Sequence, residues 1–379
     1  MKKDIEKGME NGRSISKTKR GKTMKVIIGI VLLCIVIFEL IMIPPSMGKA
    51  PVLKDDNGNP LEGGISEKIQ VDINGTSLGM WIMGRDKTKP VLLFCGGGPG
   101  IPEYLLEQWY PTGLEKEFVV CYIEYRGTGL SYEGKMDVDS VTTELYLEDV
   151  LGVTQYLRER FGQDKLYLMG HSFGSYIALN MAQRYPEYYH AYIAVSQICN
   201  QDKSEKLAYE YMKEKYIELG DRSKIKEFEK YPILTSQEAY KDYFTSMLRD
   251  TAMHELGVGT TRDMKSLFSG IILPTLKCKV YTPLERITIF ISKMQANKFA
   301  VTDDAFHFNA FEQIPSLEIP VYFIAGKYDY TCCQSLQQEY FEFIQAPKKA
   351  FYLFENSAHS PLFEEADKAV EILVRDVLQ

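Results

Sequence analysis

The sequence predicts an α/β fold, a mostly parallel sheet with helices on both faces and a helical cap inserted late in the chain. Three observations carry this. From residue 90 onward, short apolar runs alternate with longer amphipathic stretches, the pattern of buried strands joined by crossover helices. Ahead of them, Asn74-Gly75 joins two strand-like runs and reads as a hairpin turn. Between about residues 199 and 315 the strand signals fade into charged, Tyr-rich amphipathic stretches, then resume. The chain has 379 residues, 45% hydrophobic and 25% charged, so it can bury a sizeable core.

Taken in order, residues 1–25 form a basic tail with nine Lys/Arg against three Asp/Glu. Residues 26–43 are apolar apart from Glu39 and stop at Pro44-Pro45. Eighteen residues lie at the short end of what a membrane-spanning helix needs. Positive charge before the run and little after it predicts a single-pass signal anchor in the cell membrane. The tail is then cytoplasmic and the folded part extracytoplasmic. The alternative is cleavage near Ser46-Met47-Gly48 or Gly48-Lys49-Ala50, which gives a secreted protein. Residues 44–64, rich in Pro, Gly, Asp and Asn, are expected to be a linker.

The first part of the core is expected over 65–198, with strands at 68–73, 78–83, 91–94, 118–122, 165–169 and 191–195 and helices at 141–161 and 173–184. The cap takes 199–314, with helices expected at 204–219 and 236–248. The second part of the core takes 315–379, with strands at 321–325 and 350–354 and a closing helix from about 361 to 378. Outside the basic tail the chain carries a net charge of −13, which argues against nucleic acid as a partner. The seven cysteines have no zinc-site or redox-motif spacing, and Cys95 and Cys121 fall inside apolar runs as small buried hydrophobes.

The chemistry starts at Gly170-His171-Ser172-Phe173-Gly174, a G-x-S-x-G pentapeptide between an apolar run and a helical pattern. A Ser on a sharp strand-to-helix turn lifts its hydroxyl above the sheet, so Ser172 is the candidate nucleophile. Such a Ser needs a base, and the base needs an orienting acid. Asp329 follows one late apolar run, and His359 follows the next. Of the five histidines only His359 occupies a late post-strand loop. His171 is expected to pack behind the sheet, His190 to open a strand, and His254 and His307 to lie in the cap. An oxyanion needs N–H donors, one from Phe173 and another from Gly96-Gly97-Gly98-Pro99-Gly100.

With these residues in place, Gly97-Gly98-Pro99-Gly100, the run Glu124-Tyr125-Arg126-Gly127-Thr128-Gly129-Leu130-Ser131 and the elbow resemble the proline iminopeptidase branch of the α/β-hydrolases. The resemblance covers about 66–198 and 313–379. It implies Ser172 as nucleophile, Asp329 as acid, His359 as base and the Gly98 and Phe173 amides as oxyanion donors. It also implies a bracing role for Arg126, a small-molecule or short peptide substrate, and neither metal nor cofactor. The chain departs from the family at Gly96, where a His is usual, and at His171, Phe173 and Ser175 in the elbow. Glu205, Glu210 and Glu285 are the cap acids available to hold a substrate amine. Two other functions remain open, an esterase or lipid-directed hydrolase and a catalytically inactive surface binding protein on the same fold.

Overall fold

A computed structural model of the protein describes Ile30 and residues 43–378. The basic tail lies outside these residues, as does the expected membrane segment apart from Ile30 and Ile43. No helix among the described residues is long and apolar enough to cross a membrane.

Eight strands form one sheet: β1 (Ile65–Ile73), β2 (Thr76–Gly84), β3 (Val91–Cys95), β4 (Val119–Ile123), β5 (Leu166–His171), β6 (Tyr189–Val195), β7 (Val321–Gly326) and β8 (Lys349–Phe354). Their order is β1-β2-β4-β3-β5-β6-β7-β8. The hairpin strands pair antiparallel with each other and β2 pairs antiparallel with β4, whereas every later pair is parallel. The continuous apolar runs have a direct cause. All residues of β3, β4, β5 and β7 are buried, because helices cover both faces of a parallel sheet. Two buried clusters, one on each face, form the core.

The helices that position the site are α1 (Glu103–Trp109), α2 (Thr143–Phe161) and α3 (Phe173–Arg184). The Thr142 side chain accepts the Leu145 N–H at the start of α2, and Gly162 ends it in the left-handed region at φ 62°. Between β6 and β7 the chain is helical, led by α4 (Gln201–Glu218) and α5 (Pro283–Ala296), and α6 (Gln334–Phe343) follows β7. The stretch expected as one helix at 236–248 is two, Gln237–Thr245 and Met247–Glu255. Ser246 breaks it by turning extended and capping the second helix through the Leu248 N–H. The expected closing helix is also broken, into Pro361–Glu364, Ala366–Ile372 and a wide turn at Leu373–Val377. Glu365 leaves the helical region there, and its carboxylate accepts the Asn356 N–H and the Ser357 hydroxyl.

The run after β4 braces the core. The Arg126 guanidinium makes a two-pronged ion pair with Asp149 of α2, at 2.8 and 2.6 Å. Glu124 accepts from Trp81 Nε1, Tyr281 Oη and the Leu130 N–H at 2.8, 2.7 and 2.6 Å, which ties the cap's Tyr281 to the hairpin. Burial pushes the Glu124 carboxyl up to about 7 despite these three donors. The six described cysteines are free and buried, Cys95 and Cys121 within β3 and β4.

Candidate active site

The loops that matter leave the carboxyl ends of neighbouring strands, the edge where sheets of this kind hold their ligands. Ser172 follows β5, the glycine loop follows β3, Asp329 follows β7 and His359 follows β8. Ser172 sits at φ 55°, ψ −125°, a conformation that costs a non-glycine residue about 1–3 kcal/mol. The turn is held by its surroundings. The Ser172 N–H donates to the Val195 carbonyl at 3.1 Å, and the Ser172 carbonyl accepts from the Ser175 N–H and hydroxyl at 2.8 and 2.6 Å. A Cβ on Gly174 would lie 2.0 Å from the Cys95 carbonyl oxygen, so only glycine lets α3 start this close to β3.

The structure brings Ser172, Asp329 and His359 together. His359 Nε2 lies 2.8 Å from Ser172 Oγ, and its Nδ1 lies 3.0 and 3.1 Å from the two Asp329 oxygens. Asp329 is 1% exposed. Its Oδ1 also accepts the Thr331 and Cys332 N–H groups at 3.0 and 2.9 Å, and its Oδ2 accepts Gln337 Nε2 of α6 at 3.1 Å. Five contacts thus fix the carboxylate in the plane it offers to the imidazole. Such an arrangement can draw a proton from the serine hydroxyl and hold the resulting imidazolium.

Gly98 lines a cavity beside Ser172, and Phe173 directly follows Ser172. Phe173 opens α3, and Gly98 adopts φ 114°, a backbone region that side chains rarely tolerate. Among the described residues neither N–H has a protein acceptor. Lys293 of α5 donates to the Gly98 and Pro99 carbonyls at 3.2 and 2.9 Å, pinning the loop to the cap. Burial pulls the Lys293 ammonium down to about 8.

The expectation for His171 is corrected. It does not pack behind the sheet but lies buried beside the centre, its ring 5.1 Å from that of His359. Its Nε2 lies 2.7 Å from the His359 carbonyl and its Nδ1 2.7 Å from Glu103 Oε1, while Glu103 Oε2 accepts the Gly97 N–H at 2.7 Å. The reason is that His171 is the last residue of β5, on the strand end where the loops converge. Glu103 and His171 thus connect the glycine loop to the backbone of the candidate base. Sequence reasoning missed both roles. The available signal was a His closing an apolar strand, which must find partners when buried.

Both His171 nitrogens face acceptors, which the doubly protonated ring satisfies. Burial opposes that charge, but the Glu103 carboxylate and the His359 carbonyl prevail and raise the pKa above 6.5. A histidine raised in the fold contributes stability below its unfolded pKa and loses it as pH rises through the folded value. His171→Gln is therefore expected to destabilise most in acid, with the difference from wild type shrinking as pH rises. Urea melts at about pH 5.5 and about pH 9 check this, and an equal difference at both would contradict it.

A cavity of about 180 Å³ opens beside Ser172 and His359, walled by Ile101, Leu106, Trp109 and Ile271. None of the three candidate cap acids lines it. Glu205 is buried in an ion pair with Arg249, Glu285 caps α5 and pairs with Lys68 at 2.6 Å, and Glu210 lines a separate cleft with Glu214 and Tyr330. That cleft is larger, about 310 Å³, and reaches Asp329 but neither Ser172 nor His359. Among the described residues no group of His, Cys, Asp and Glu side chains could hold a metal ion.

Comparison with known proteins follows the same line. A family model for the alpha/beta hydrolase fold matches residues 90–366. The probable aminopeptidase YbaC of Bacillus subtilis (strain 168) is 31% identical over 323 residues, which cover 83% of this chain and 98% of that protein. The proline iminopeptidase of Saccharolobus solfataricus is 24% identical over 297 residues, 76% of this chain and 84% of that protein. Among solved structures, the proline iminopeptidase of Mycobacterium smegmatis superposes with a TM-score of 0.58 at 14% identity, covering 81% of this chain and 96% of that one.

Proposed function

Because this chain belongs to the alpha/beta hydrolase fold family and is similar to proline iminopeptidases, we propose that it is a serine hydrolase acting through an acyl-enzyme, with an aminopeptidase-like preference. The observation that carries this is the unbroken chain Ser172 Oγ–His359–Asp329, with contacts of 2.8 and 3.0 Å. Ser172 attacks the substrate carbonyl as His359 Nε2 takes its proton. The Phe173 and Gly98 N–H groups meet the oxygen as it becomes negative, and Asp329 stabilises the imidazolium. His359 then returns the proton to the leaving group, and water releases the acyl group by the reverse roles.

The peptidase preference is supported by the relatives, an aminopeptidase and an iminopeptidase by name. The cavity has room for one small apolar acyl group, such as a single residue. One observation favours a second reading, an esterase. Among the described residues the one acid lining the cavity is Glu103, and its oxygens are engaged by His171 and the Gly97 N–H. Side-by-side turnover of prolyl and alanyl naphthylamides and of short acyl nitrophenyl esters separates them. The peptidase reading expects kcat/KM for the best naphthylamide to match or exceed that for the esters. Turnover confined to esters would replace it with the second reading, and no turnover of either would leave a binding protein on a hydrolase fold.

A further inference from the structure

We propose that the cap docks flat on an anionic lipid bilayer through the outer face of α5 and the adjoining turn at residues 268–272. On α5, Leu284, Ile287, Ile291 and Met294 are 73%, 42%, 44% and 63% exposed. Their spacing of three, four and three residues puts them on one side of the helix. The opposite side, with Ile289 and Ala296, is already buried in the cap. Phe268 and Ile272, on the turn that runs directly into the helix preceding α5, are 58% and 36% exposed. A helix apolar on both sides needs a second partner, and an exposed apolar stripe of this kind marks an interaction surface.

Two observations identify the partner as lipid. The first is charge. Residues 264–298 carry six Lys/Arg and one acid, in a chain whose part beyond the basic tail has a net charge of −13. The single acid, Glu285, is neutralised by Lys68 at 2.6 Å. Lys265, Lys277, Lys279 and Lys298 are exposed, so the patch and its basic surroundings lie in one segment. An apolar helix face with exposed lysines in the segments before and after it is what an interfacial element presents to anionic headgroups.

The second is where the chain enters the fold. Arg286 of α5 donates to the Pro44 carbonyl at 2.7 Å, the Ser46 hydroxyl to the Lys279 carbonyl, and Lys68 to the Gly48 carbonyl at 2.9 Å. Pro44 directly follows the apolar run 26–43. That run therefore leaves the fold at the first turns of α5 with no slack between them. A bilayer that takes up the run is brought within the length of α5, about 21 Å, of the whole stripe. The docking does not depend on the chemistry at Ser172.

The test uses the full chain reconstituted in vesicles of equimolar phosphatidylcholine and phosphatidylglycerol with brominated acyl chains, which quench tryptophan on contact. Ile291→Trp and Met294→Trp are made separately, with the parent's Trp81 and Trp109 as baseline. The control is Phe343→Trp, an exposed site on α6 near the amino end of β8 and so at the opposite edge of the sheet from Ser172. The expected result is at least about twofold quenching of the introduced emission at both α5 sites, with none at the control. Replacing phosphatidylglycerol by phosphatidylcholine should weaken it. Quenching at the α5 sites no greater than at the control would overturn the proposal. Unquenched but blue-shifted emission with a cross-linked dimer would assign the face to a second copy. The same emission from a monomer would assign it to the chain's own apolar run.

Discussion

Ser172→Ala is expected to lower kcat by about four to six orders of magnitude while leaving the unfolding free energy from urea melts within about 0.5 kcal/mol of wild type. In the proposed mechanism the Ser172 hydroxyl oxygen forms and breaks the acyl bond. Its hydrogen-bond partner is His359 Nε2, whereas the turn itself is held by backbone contacts to Val195 and Ser175. Removing Oγ therefore takes away the reaction and leaves the elbow. His359→Ala should cost a similar factor in kcat, and the double variant little more, because the two act as one unit. Additive losses would show that the pair acts independently. Steady-state turnover of the best substrate from the panel measures this.

Gly174→Ala is expected to destabilise the fold by more than about 3 kcal/mol and to lower kcat/KM at least about 100-fold. The new methyl would lie 2.0 Å from the Cys95 carbonyl oxygen and 2.5 Å from that of Gly96. Neither oxygen can retreat cheaply. Cys95 ends β3, which is paired on both sides, with β4 and with β5. The alternative is for α3 to lift off the sheet, carrying Ser172 and the Phe173 N–H away from His359 and the glycine loop. Stability and activity should fall together, unlike in Ser172→Ala. An unchanged urea midpoint would contradict the packing account.

What the sequence made legible follows from how each feature is encoded. Strands buried on both faces are written as continuous apolar runs, so β3 to β7 could be placed to within a few residues, and the edge strand β8 was readable from its own apolar run Ala350-Phe351-Tyr352-Leu353-Phe354. The elbow, Asp329 and His359 were readable because each sits directly after such a run, and the structure brings these three side chains to one point. The pairing of His171 with Glu103 was not readable. It joins residues 68 positions apart and reaches the His359 carbonyl 188 positions away, and no local pattern records a contact of that range. The cap was least legible. Its helices are amphipathic with many acids, and whether Glu205 faces Arg249 or a substrate is decided by packing that periodicity does not contain. The breaks at Ser246 and Glu365 arise from side chains that bond backbone or loop groups in place of continuing a helix.

The docking face and the active centre meet at one place. Ile271 walls the cavity beside Ser172, and its neighbour Ile272 belongs to the exposed patch. A chain seated on a bilayer through that patch would hold the rim of its cavity near the headgroups.

The central claim is that Ser172 is a nucleophile activated by His359 and Asp329. Its most direct test is labelling with a serine-reactive fluorophosphonate, followed by mapping of the modified peptide. The account predicts one adduct per chain, on Ser172, absent from Ser172→Ala and strongly slowed in His359→Ala. Undiminished labelling of Ser172→Ala, or an adduct mapped to another residue, would contradict it.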